Sequence, residues 1–151
     1  KVIKVLSTVI DKIESSINYG EYSKWSTNRE INTANAISHA ACAVSRSQRI
    51  GVLATMTHSG YTARMAARYR PEAKIVAMTP YKRTCRKLSI VWGVSPVLVA
   101  DYKSADEIPE VANNKLRKLK LIEEGESFVI TGGVPVGVSG TTNYLTVLKG
   151  S

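Results

Sequence analysis

The chain has 151 residues, of which 44% are apolar and 22% are charged, which is the size and composition of one globular domain with a substantial core. It contains no apolar run of about 18 residues and does not open with a secretory signal pattern, so the sequence predicts no membrane span and no membrane partner. The net charge of +9 would suit nucleic-acid binding, but the basic residues are spread over several predicted helices and one phenylalanine offers little base stacking, so we expect no nucleic-acid partner.

Apolar residues at three- and four-residue steps predict a first amphipathic helix from about residue 2 to 17. Polar and aromatic residues with a glycine then predict a linker up to residue 29. A second helix is predicted from a cap at Asn32 or Thr33 to Ser45, with a packing face of small and medium residues: Ala36, Ile37, Ala40, Ala41 and Val44. Because the chain begins with Lys1 inside the first helical pattern, we interpret it as a piece of a longer protein.

The stretch from Ile50 to Arg70 predicts a strand, a tight turn and a helix. An apolar run gives way to small hydroxyl residues and a glycine, after which apolar residues resume at helical spacing. The first turn of a helix has backbone N–H groups without helical acceptors, and the helix dipole makes that end electropositive. The hydroxyls of Thr57, Ser59 and Thr62 beside Gly60 therefore indicate a phosphate-binding turn. The simpler alternative is that Thr57 or Ser59 only caps the helix.

The rest of the chain alternates between helix and strand patterns. Thr79 and Pro80 predict a helix start, with Thr79 as the cap and the helix running to about Trp92. Ser104 to Glu107 has capping-box spacing ahead of a further helix that ends near Glu123, with a later start as the alternative because Pro109 can delay or break the helix there. Short buried strands are predicted at 74–78, 96–100, 127–131 and 144–148, with a long glycine- and hydroxyl-rich loop at 132–143. This alternation predicts an α/β fold with a mainly parallel sheet covered on both faces.

The two cysteines lie in helical patterns and lack the spacing of a metal or redox motif. Cys42 and Cys85 are therefore predicted to be reduced thiols, as in a cytoplasmic protein.

Several segments resemble the C-terminal domain of pyruvate kinase, in order and at similar spacing, and the resemblance covers roughly residues 30 to 149. It implies a three-layer αβα sandwich whose five-stranded mixed sheet has the order 3-2-1-4-5, with the last strand antiparallel. It also implies that residues 1–29 are the end of a catalytic-barrel helix with its linker, and that residues 30–151 are the C-terminal domain. The segments that carry it are NAISHAA at 35–41, THSGYTA at 57–63, ARYRP at 67–71, IVAMTP at 75–80, WGVSP at 92–96 and GVPVGVSGTTN at 133–143.

The resemblance further implies a place in a cytoplasmic, homotetrameric glycolytic enzyme that transfers phosphate from phosphoenolpyruvate to ADP with Mg²⁺ and K⁺. The catalytic residues, the metal ions and the ATP-binding site would lie in the barrel, so the resemblance implies no catalytic residue, metal or cofactor in this chain, and an inactive fragment. Its partners would be the barrel of the same chain, the other subunits and a phosphorylated allosteric effector. The last strand, at a predicted sheet edge, suggests that the fragment by itself forms a dimer.

Carried over residue by residue, the resemblance assigns the effector phosphate to one turn and a flap over the sugar to the long loop. In the turn the residues are Thr57, His58, Ser59, Gly60 and Thr62, and in the flap they are Ser139, Gly140 and Thr141. His58 stands where some fructose-bisphosphate-regulated forms have lysine, and Tyr61 where they have arginine. These departures leave a sugar monophosphate or AMP open as effector, beside fructose 1,6-bisphosphate.

Strand order supports the same location independently of those assignments. If strands 1 and 4 are neighbours with helices on opposite faces, the crevice beyond their carboxyl ends is the place where open α/β sheets bind ligands. The predicted turn follows strand 1 and the long loop follows strand 4, so both are expected to face one crevice.

The residues alone leave two other function classes open. One is a free-standing phosphate-binding or phosphotransferase domain, although the chain has no GxxxxGK[ST] loop and its glycines miss GxGxxG spacing. The other is a basic nucleic-acid-binding module, which would bind unrelated duplexes with steep salt dependence.

Overall fold

In a computed structural model, which describes residues 2–18, 32–138 and 140–151, helices cover both faces of a five-stranded sheet. The strands are β1 (Val52–Met56), β2 (Lys74–Thr79), β3 (Val94–Leu98), β4 (Ser127–Gly132) and β5 (Tyr144–Lys149). The helices are α1 (Val2–Ser15), α2 (Thr33–Ser47), α3 (Tyr61–Ala67), α4 (Lys82–Leu88) and α5 (Ile108–Lys118). The sheet order is β3-β2-β1-β4-β5, and only the β4–β5 pair is antiparallel. The predicted fold class and strand order are confirmed.

Successive side chains of each strand point to opposite faces of the sheet. Side chains of Val52, Ala54 and Met56 pack with α5 on one face, in a cluster that also contains Phe128. The next residues along the strands, Leu53 and Val129 among them, pack with α2 and α3 on the other face. Side chains of the central strands are thus buried on both faces of the sheet, which is why these strands are mainly apolar.

Strand β1 lies at the centre of the sheet, between β2 and β4. All five of its residues are buried. It pairs with β4 in parallel, with Leu53 opposite Val129 and Thr55 opposite Thr131. Because the two strands run in the same direction, the segments that follow them leave the sheet at the same edge.

The predicted start of α4 is wrong. Thr79 is the last residue of β2, where it pairs with Leu98, and it does not cap a helix. Its hydroxyl oxygen instead accepts the Tyr81 N–H at 3.3 Å, and the helix begins only at Lys82. The residue before a proline is restricted to extended backbone, which favours continuing the strand through Thr79.

The predicted packing face of α2 is also wrong in part. Ala36 is exposed, and the face that meets the core consists mainly of smaller residues, several of them polar: Ala34, Asn35, Ser38, Ala41, Cys42 and Ser45. The Ser45 hydroxyl donates to the Cys42 carbonyl at 2.9 Å, which satisfies a buried polar group within the helix itself. The spacing of apolar residues does not reveal such a face, because serine counts as a polar residue. The cap prediction at Asn32 is confirmed, since its side chain accepts the Asn35 N–H at 2.9 Å.

Helix α5 starts late, as the alternative based on Pro109 allows, and it ends earlier than the sequence predicts. It runs from Ile108 to Lys118, with Pro109 in its first turn. The predicted capping-box contact between Ser104 and Glu107 forms, with the Glu107 carboxylate accepting the Ser104 N–H at 3.2 Å. It lies in the turn before α5 begins at Ile108. This contact orders the turn that leads into the helix.

Helix α1 has an apolar face that stays exposed in this chain. Its residues Val2, Ile3, Val5, Leu6, Val9, Ile10 and Ile13 are between 48% and 82% exposed. It contacts the sheet domain through Glu14, whose carboxylate accepts the Trp92 indole N–H at 2.7 Å. The Arg70 guanidinium lies 4.7 Å from the centre of the same indole ring. The predicted linker, and with it the boundary after residue 29, lies almost entirely outside the described residues.

In the described ranges, none of the helices combines the length and the apolar character that a membrane span requires.

We predict that folding becomes less favourable in alkaline solution because of Cys42. The Cys42 side chain packs between α2 and α3, with its sulfur 3.8 Å from the Ala66 carbonyl oxygen, and burial raises the pKa of this thiol from 9.0 to about 12. Above its ordinary pKa the unfolded chain loses this proton while the folded chain keeps it. The contribution of Cys42 to the free energy of unfolding is therefore fully present below about pH 9. Above that pH it falls, by up to about 1.4 kcal/mol per pH unit.

Urea unfolding from about pH 8 to about pH 10.5 measures this slope, and Cys42→Ala should show a shallower one. The matched control is Cys85→Ala, at the half-buried second thiol. Identical slopes for the Cys42 variant and the unmodified chain would contradict the prediction.

Candidate functional site

A cleft lies at the carboxyl ends of β1 and β4, where the turn at 57–62 meets the loop at 133–143. Twelve described residues line it: Met56, Thr57, His58, Ser59, Tyr61, Thr62, Tyr102, Gly133, Gly137, Val138, Gly140 and Thr141. The structure therefore brings both predicted segments to one site.

The turn after β1 is held by its own side chain. The buried Thr57 hydroxyl oxygen accepts the Gly60 N–H at 2.9 Å, and the Thr57 N–H donates to the Met78 carbonyl of β2 at 3.0 Å. Because the Thr57 hydroxyl acts as an acceptor in this hydrogen bond, its hydrogen remains available to donate to another group. Thr57 therefore closes the turn but does not cap α3, whose N-cap residue is Gly60 and has no side-chain cap hydrogen bond.

Gly60 occupies a position that only glycine fits well. Its φ of +84° lies in the left-handed region, and a side chain there would meet the Arg64 guanidinium and Leu88. Helix α3 begins directly after it. The amides of its first turn have no acceptors within the helix, as at every helix start.

His58 lies in a pocket of aromatic side chains beside the cleft. Its ring centre is 5.5 Å from that of Tyr81 and 5.0 Å from that of Tyr102. Its carbonyl oxygen accepts the Thr84 hydroxyl at 2.7 Å, which ties the turn to α4. Its Nε2 is 3.9 Å from the Asp101 carboxylate, which is 61% exposed at the rim.

The base of the long loop is fixed by one amide side chain. Asn143 accepts the Val134 N–H at 2.8 Å and donates to the Val134 carbonyl at 2.6 Å. Gly133 lies so close to Thr141 that any side chain at position 133 would overlap the Thr141 carbonyl. The two ends of the loop are therefore packed directly against each other.

A buried contact between two hydroxyl groups joins the loop to α3. The hydroxyl oxygens of Thr62 and Thr142 are 2.9 Å apart, and the two residues are 5% and 1% exposed. They lie 80 positions apart in the chain. This hydroxyl pair holds the loop closed over the turn.

The cleft is narrow in this conformation. The cavity between its lining residues has a volume of about 20 Å³, little more than one water molecule needs. A second, more open space of about 480 Å³ lies on the other side of Gly140 and Thr141, against the start of α2 at Asn32 and Thr33. An organic ligand would need outward movement of the loop to enter the cleft.

The lining carries donors and acceptors but little formal charge. The twelve lining residues include no lysine or arginine. Arg64 is the nearby cation, with its guanidinium 3.3 Å from the Ser59 carbonyl oxygen. Burial, with smaller contributions from Asp101 and Tyr81, raises the pKa of Tyr102 well above its ordinary value, so this phenol stays protonated and neutral. Across the described ranges, no group of three or more His, Cys, Asp or Glu side chains is arranged to hold a metal ion.

Most of the predicted site residues meet in the cleft. Thr57, His58, Ser59, Thr62, Gly140 and Thr141 all line it, and Gly60 shapes its turn. Ser139 lies outside the described residues. The Thr141 hydroxyl donates to the Val138 carbonyl at 2.8 Å, so it braces the loop in this conformation.

Sequence reasoning missed Tyr102, Asp101 and Thr142. The first two follow β3, which was not expected to reach the crevice between β1 and β4. Thr142 directly follows a predicted flap residue, and its role depends on contact with Thr62.

Comparison with known proteins relates this chain to one family. The sequence profile described as "Pyruvate kinase, alpha/beta domain" matches residues 35–148. The pyruvate kinase of Clostridium acetobutylicum is 32% identical over 148 residues, which are 97% of this chain and 31% of that protein. The pyruvate kinase of Lactobacillus delbrueckii subsp. bulgaricus is 38% identical over 114 residues, 76% of this chain and 19% of that protein.

A solved structure shows the same fold. The crystal structure of Cryptosporidium parvum pyruvate kinase matches with a TM-score of 0.82 and 22% identity, over 99% of this chain and 30% of that one. The chain thus spans no more than about a third of the length of these relatives.

We predict that Thr142→Val loosens the loop and destabilises the chain. The Thr62 hydroxyl would remain buried without its partner, which costs about 1–3 kcal/mol of unfolding free energy. Urea unfolding measures this loss, and amide hydrogen exchange should be faster across residues 133–143.

The double variant Thr62→Val/Thr142→Val should recover part of the loss, because no unpaired hydroxyl remains. Thr8→Val, on the exposed surface of α1, is the control for a threonine-to-valine change. Unchanged stability and unchanged exchange in Thr142→Val would show that the pair does not hold the loop.

Proposed function

The chain belongs to the pyruvate kinase family, as its alpha/beta domain, and from this premise we propose that it is the C-terminal part of a pyruvate kinase. The whole cytoplasmic enzyme would transfer phosphate from phosphoenolpyruvate to ADP in glycolysis. The chemistry, with its Mg²⁺, K⁺ and ATP-binding site, would take place in a catalytic barrel outside this chain. The present residues would contribute regulation and assembly, and would be inactive alone.

The proposed regulatory role is binding of a phosphorylated effector in the cleft. The observation that carries it is the convergence of two distant segments, at 57–62 and 133–143, on one crevice beyond β1 and β4. This crevice is the usual ligand position in open α/β sheets.

The turn at 57–62 would hold the phosphate. Its Thr57 and Ser59 side chains line the cleft, and the first-turn amides of α3 add backbone donors. Gly60 lets the backbone approach closely, and the Arg64 guanidinium contributes positive potential from outside the cleft. Together these groups suit a dianionic phosphate, because they present hydrogen-bond donors and positive potential.

The loop at 133–143 would close over the organic part of the effector. It is fixed at its base by Asn143 and held to α3 by the hydroxyl pair of Thr62 and Thr142. Movement about this base would join the narrow cleft with the larger space beside Asn32. The candidate effectors are a sugar monophosphate, AMP and fructose 1,6-bisphosphate.

The exposed apolar face of α1 would pack against the catalytic barrel of the same chain. Seven apolar residues at least 48% exposed on one helix are unfavourable in water, and a hydrophobic partner surface would remove them from it. The Glu14–Trp92 hydrogen bond would then fix the barrel end of the chain to the amino end of β3.

We propose that β5 is the strand through which the chain contacts another subunit. Among the described residues no further strand pairs with β3 or β5 at the sheet edges, but β3 contains Pro96, which has no N–H to donate to a further strand. Strand β5 has an N–H at every position and β-favouring residues. We therefore assign it the contact between subunits of the proposed homotetramer and of a dimer of the isolated chain.

We predict that Ser59→Glu abolishes effector binding. The new carboxylate would occupy the phosphate position and repel a dianion, which should weaken binding by at least about tenfold. Calorimetric titration with inorganic phosphate, ribose 5-phosphate, AMP and fructose 1,6-bisphosphate measures the effect.

The matched control is Ser7→Glu, on the exposed surface of α1. It adds the same charge away from the cleft and should leave affinity unchanged. If none of these compounds binds the unmodified chain, the effector role is wrong, although the family assignment stands.

We predict that the isolated chain dimerises through β5. Light scattering should give a mass that rises from monomer to dimer with concentration. Amide exchange at residues 144–149 should slow over the same range, while residues 94–98 of the proline-containing edge serve as the internal control. A monomeric mass at high concentration would rule out this assembly.

A further inference from the structure

A separate cavity lies at the amino ends of β1 and β2, at the opposite end of the sheet from the cleft. Its volume is about 450 Å³, within the range of about 300–1,000 Å³ that small-molecule sites occupy. Gly51 and Ala73, which directly precede the two strands, form one part of its wall, and the last turn of α2 forms another. The cavity has no role in the function proposed above.

Three charged residues line this cavity. Arg46 lies in the last turn of α2, Arg49 follows that helix, and Glu72 lies at an exposed position just before β2. In the part of the chain that the structure describes, Arg49 and Glu72 form no ion pair, so they border the cavity without closing it by direct contact. The lining therefore contains positive and negative groups on separate parts of the wall.

The end of α2 accounts for one of the two arginines. Its carbonyl groups carry about half a negative charge, which Arg46 in the last turn offsets. Arg49 lies beyond the helix with a φ of +54°, a left-handed conformation that arginine adopts less readily than glycine or asparagine. Neither the helix end nor the backbone conformation thus requires an arginine at position 49.

We propose that this cavity binds a small organic acid whose carboxylates pair with Arg46 and Arg49 and whose hydroxyl or amino group donates to Glu72. The planar guanidinium group matches a carboxylate, and two guanidinium groups suit a dicarboxylate. The Glu72 carboxylate repels a ligand that offers only negative charge, whereas a donor on the ligand makes the same contact attractive. The site goes beyond the proposed effector function, because it shares no lining residue with the cleft.

Three acids of nearly equal size test this chemistry. Succinate carries two carboxylates and no other polar group, malate adds one hydroxyl, and aspartate has an amino group in place of that hydroxyl. Calorimetric titration of the 151-residue chain measures the affinity for each. At least one of malate and aspartate should bind about tenfold more tightly than succinate, because only these two acids donate to Glu72.

Two variants should change these affinities in opposite directions. Arg49→Asn removes a guanidinium group but keeps a residue that tolerates the left-handed backbone, so the chain should fold and bind all three acids about tenfold more weakly. Glu72→Ala removes the repelling carboxylate, so succinate should bind about threefold more tightly and the preference for malate or aspartate should disappear. A merely structural role of Glu72 would change all three affinities together.

The matched control for Arg49→Asn is Lys120→Asn. Lys120 is an exposed cation with the same φ of +54°, and it follows α5, which packs on the other face of the sheet. The control therefore removes the same charge from the same backbone conformation and should leave all three affinities unchanged. Ser59→Glu, in the phosphate turn, should also leave them unchanged, which separates this site from the cleft.

Four results would each overturn the proposal. They are that none of the three acids binds the unmodified chain at millimolar concentration, that succinate binds as tightly as both other acids, that Arg49→Asn leaves binding intact, or that Ser59→Glu abolishes it. The proposed effector function would survive each of these results, because it concerns phosphorylated ligands at the opposite end of the sheet.

Discussion

The site depends on the parallel pairing of β1 with β4 at the centre of the sheet. Each of the two strands is buried on both faces, and each places its following segment at the same edge. The two segments share a crevice only because these strands are neighbours and not because they are close in sequence. The topology therefore creates the cleft before any polar side chain is considered.

Polar groups in the cleft are satisfied largely by one another, and this gives the site its form. Thr57 closes the turn onto Gly60, Asn143 closes the loop onto Val134, and Thr62 meets Thr142 between them. Such internal bonds replace water at groups that folding buries. The same bonds make the cleft narrow, so ligand binding and loop movement are coupled in the function we propose.

In the function we propose, one end of the sheet contacts α1 and the other end binds the effector. At the amino end of β3, Trp92 binds Glu14 of α1, the helix whose apolar face is exposed. At the carboxyl ends lies the cleft with its turn and loop. The rigid sheet between them, with a core on each face, is the element that would connect an effector with the rest of a longer enzyme.

Much of this fold could be predicted from the sequence because its signals are local. Apolar runs and helical spacing located all five strands and the helices, and the motif resemblance predicted the strand order. The turn at Thr57 to Thr62 was recognisable because hydroxyl residues and a glycine stand between a strand and a helix, which is local chemistry of the backbone.

Only the tertiary structure decided the rest, because it depends on distant contacts. The buried face of α2 follows from close packing of Ser38 and Ser45, which a hydropathy pattern assigns to the surface. The end of β2 at Thr79 follows from pairing with Leu98, which outweighed a good helix-capping sequence. Tyr102 reaches the cleft, with Asp101 beside it near His58, because β3, two strands away from β1, sends its following segment back over the edge of the sheet. The sequence by itself determined the elements and the phosphate-like turn, whereas the remaining walls of the cleft arise from residues that only the folded sheet brings together.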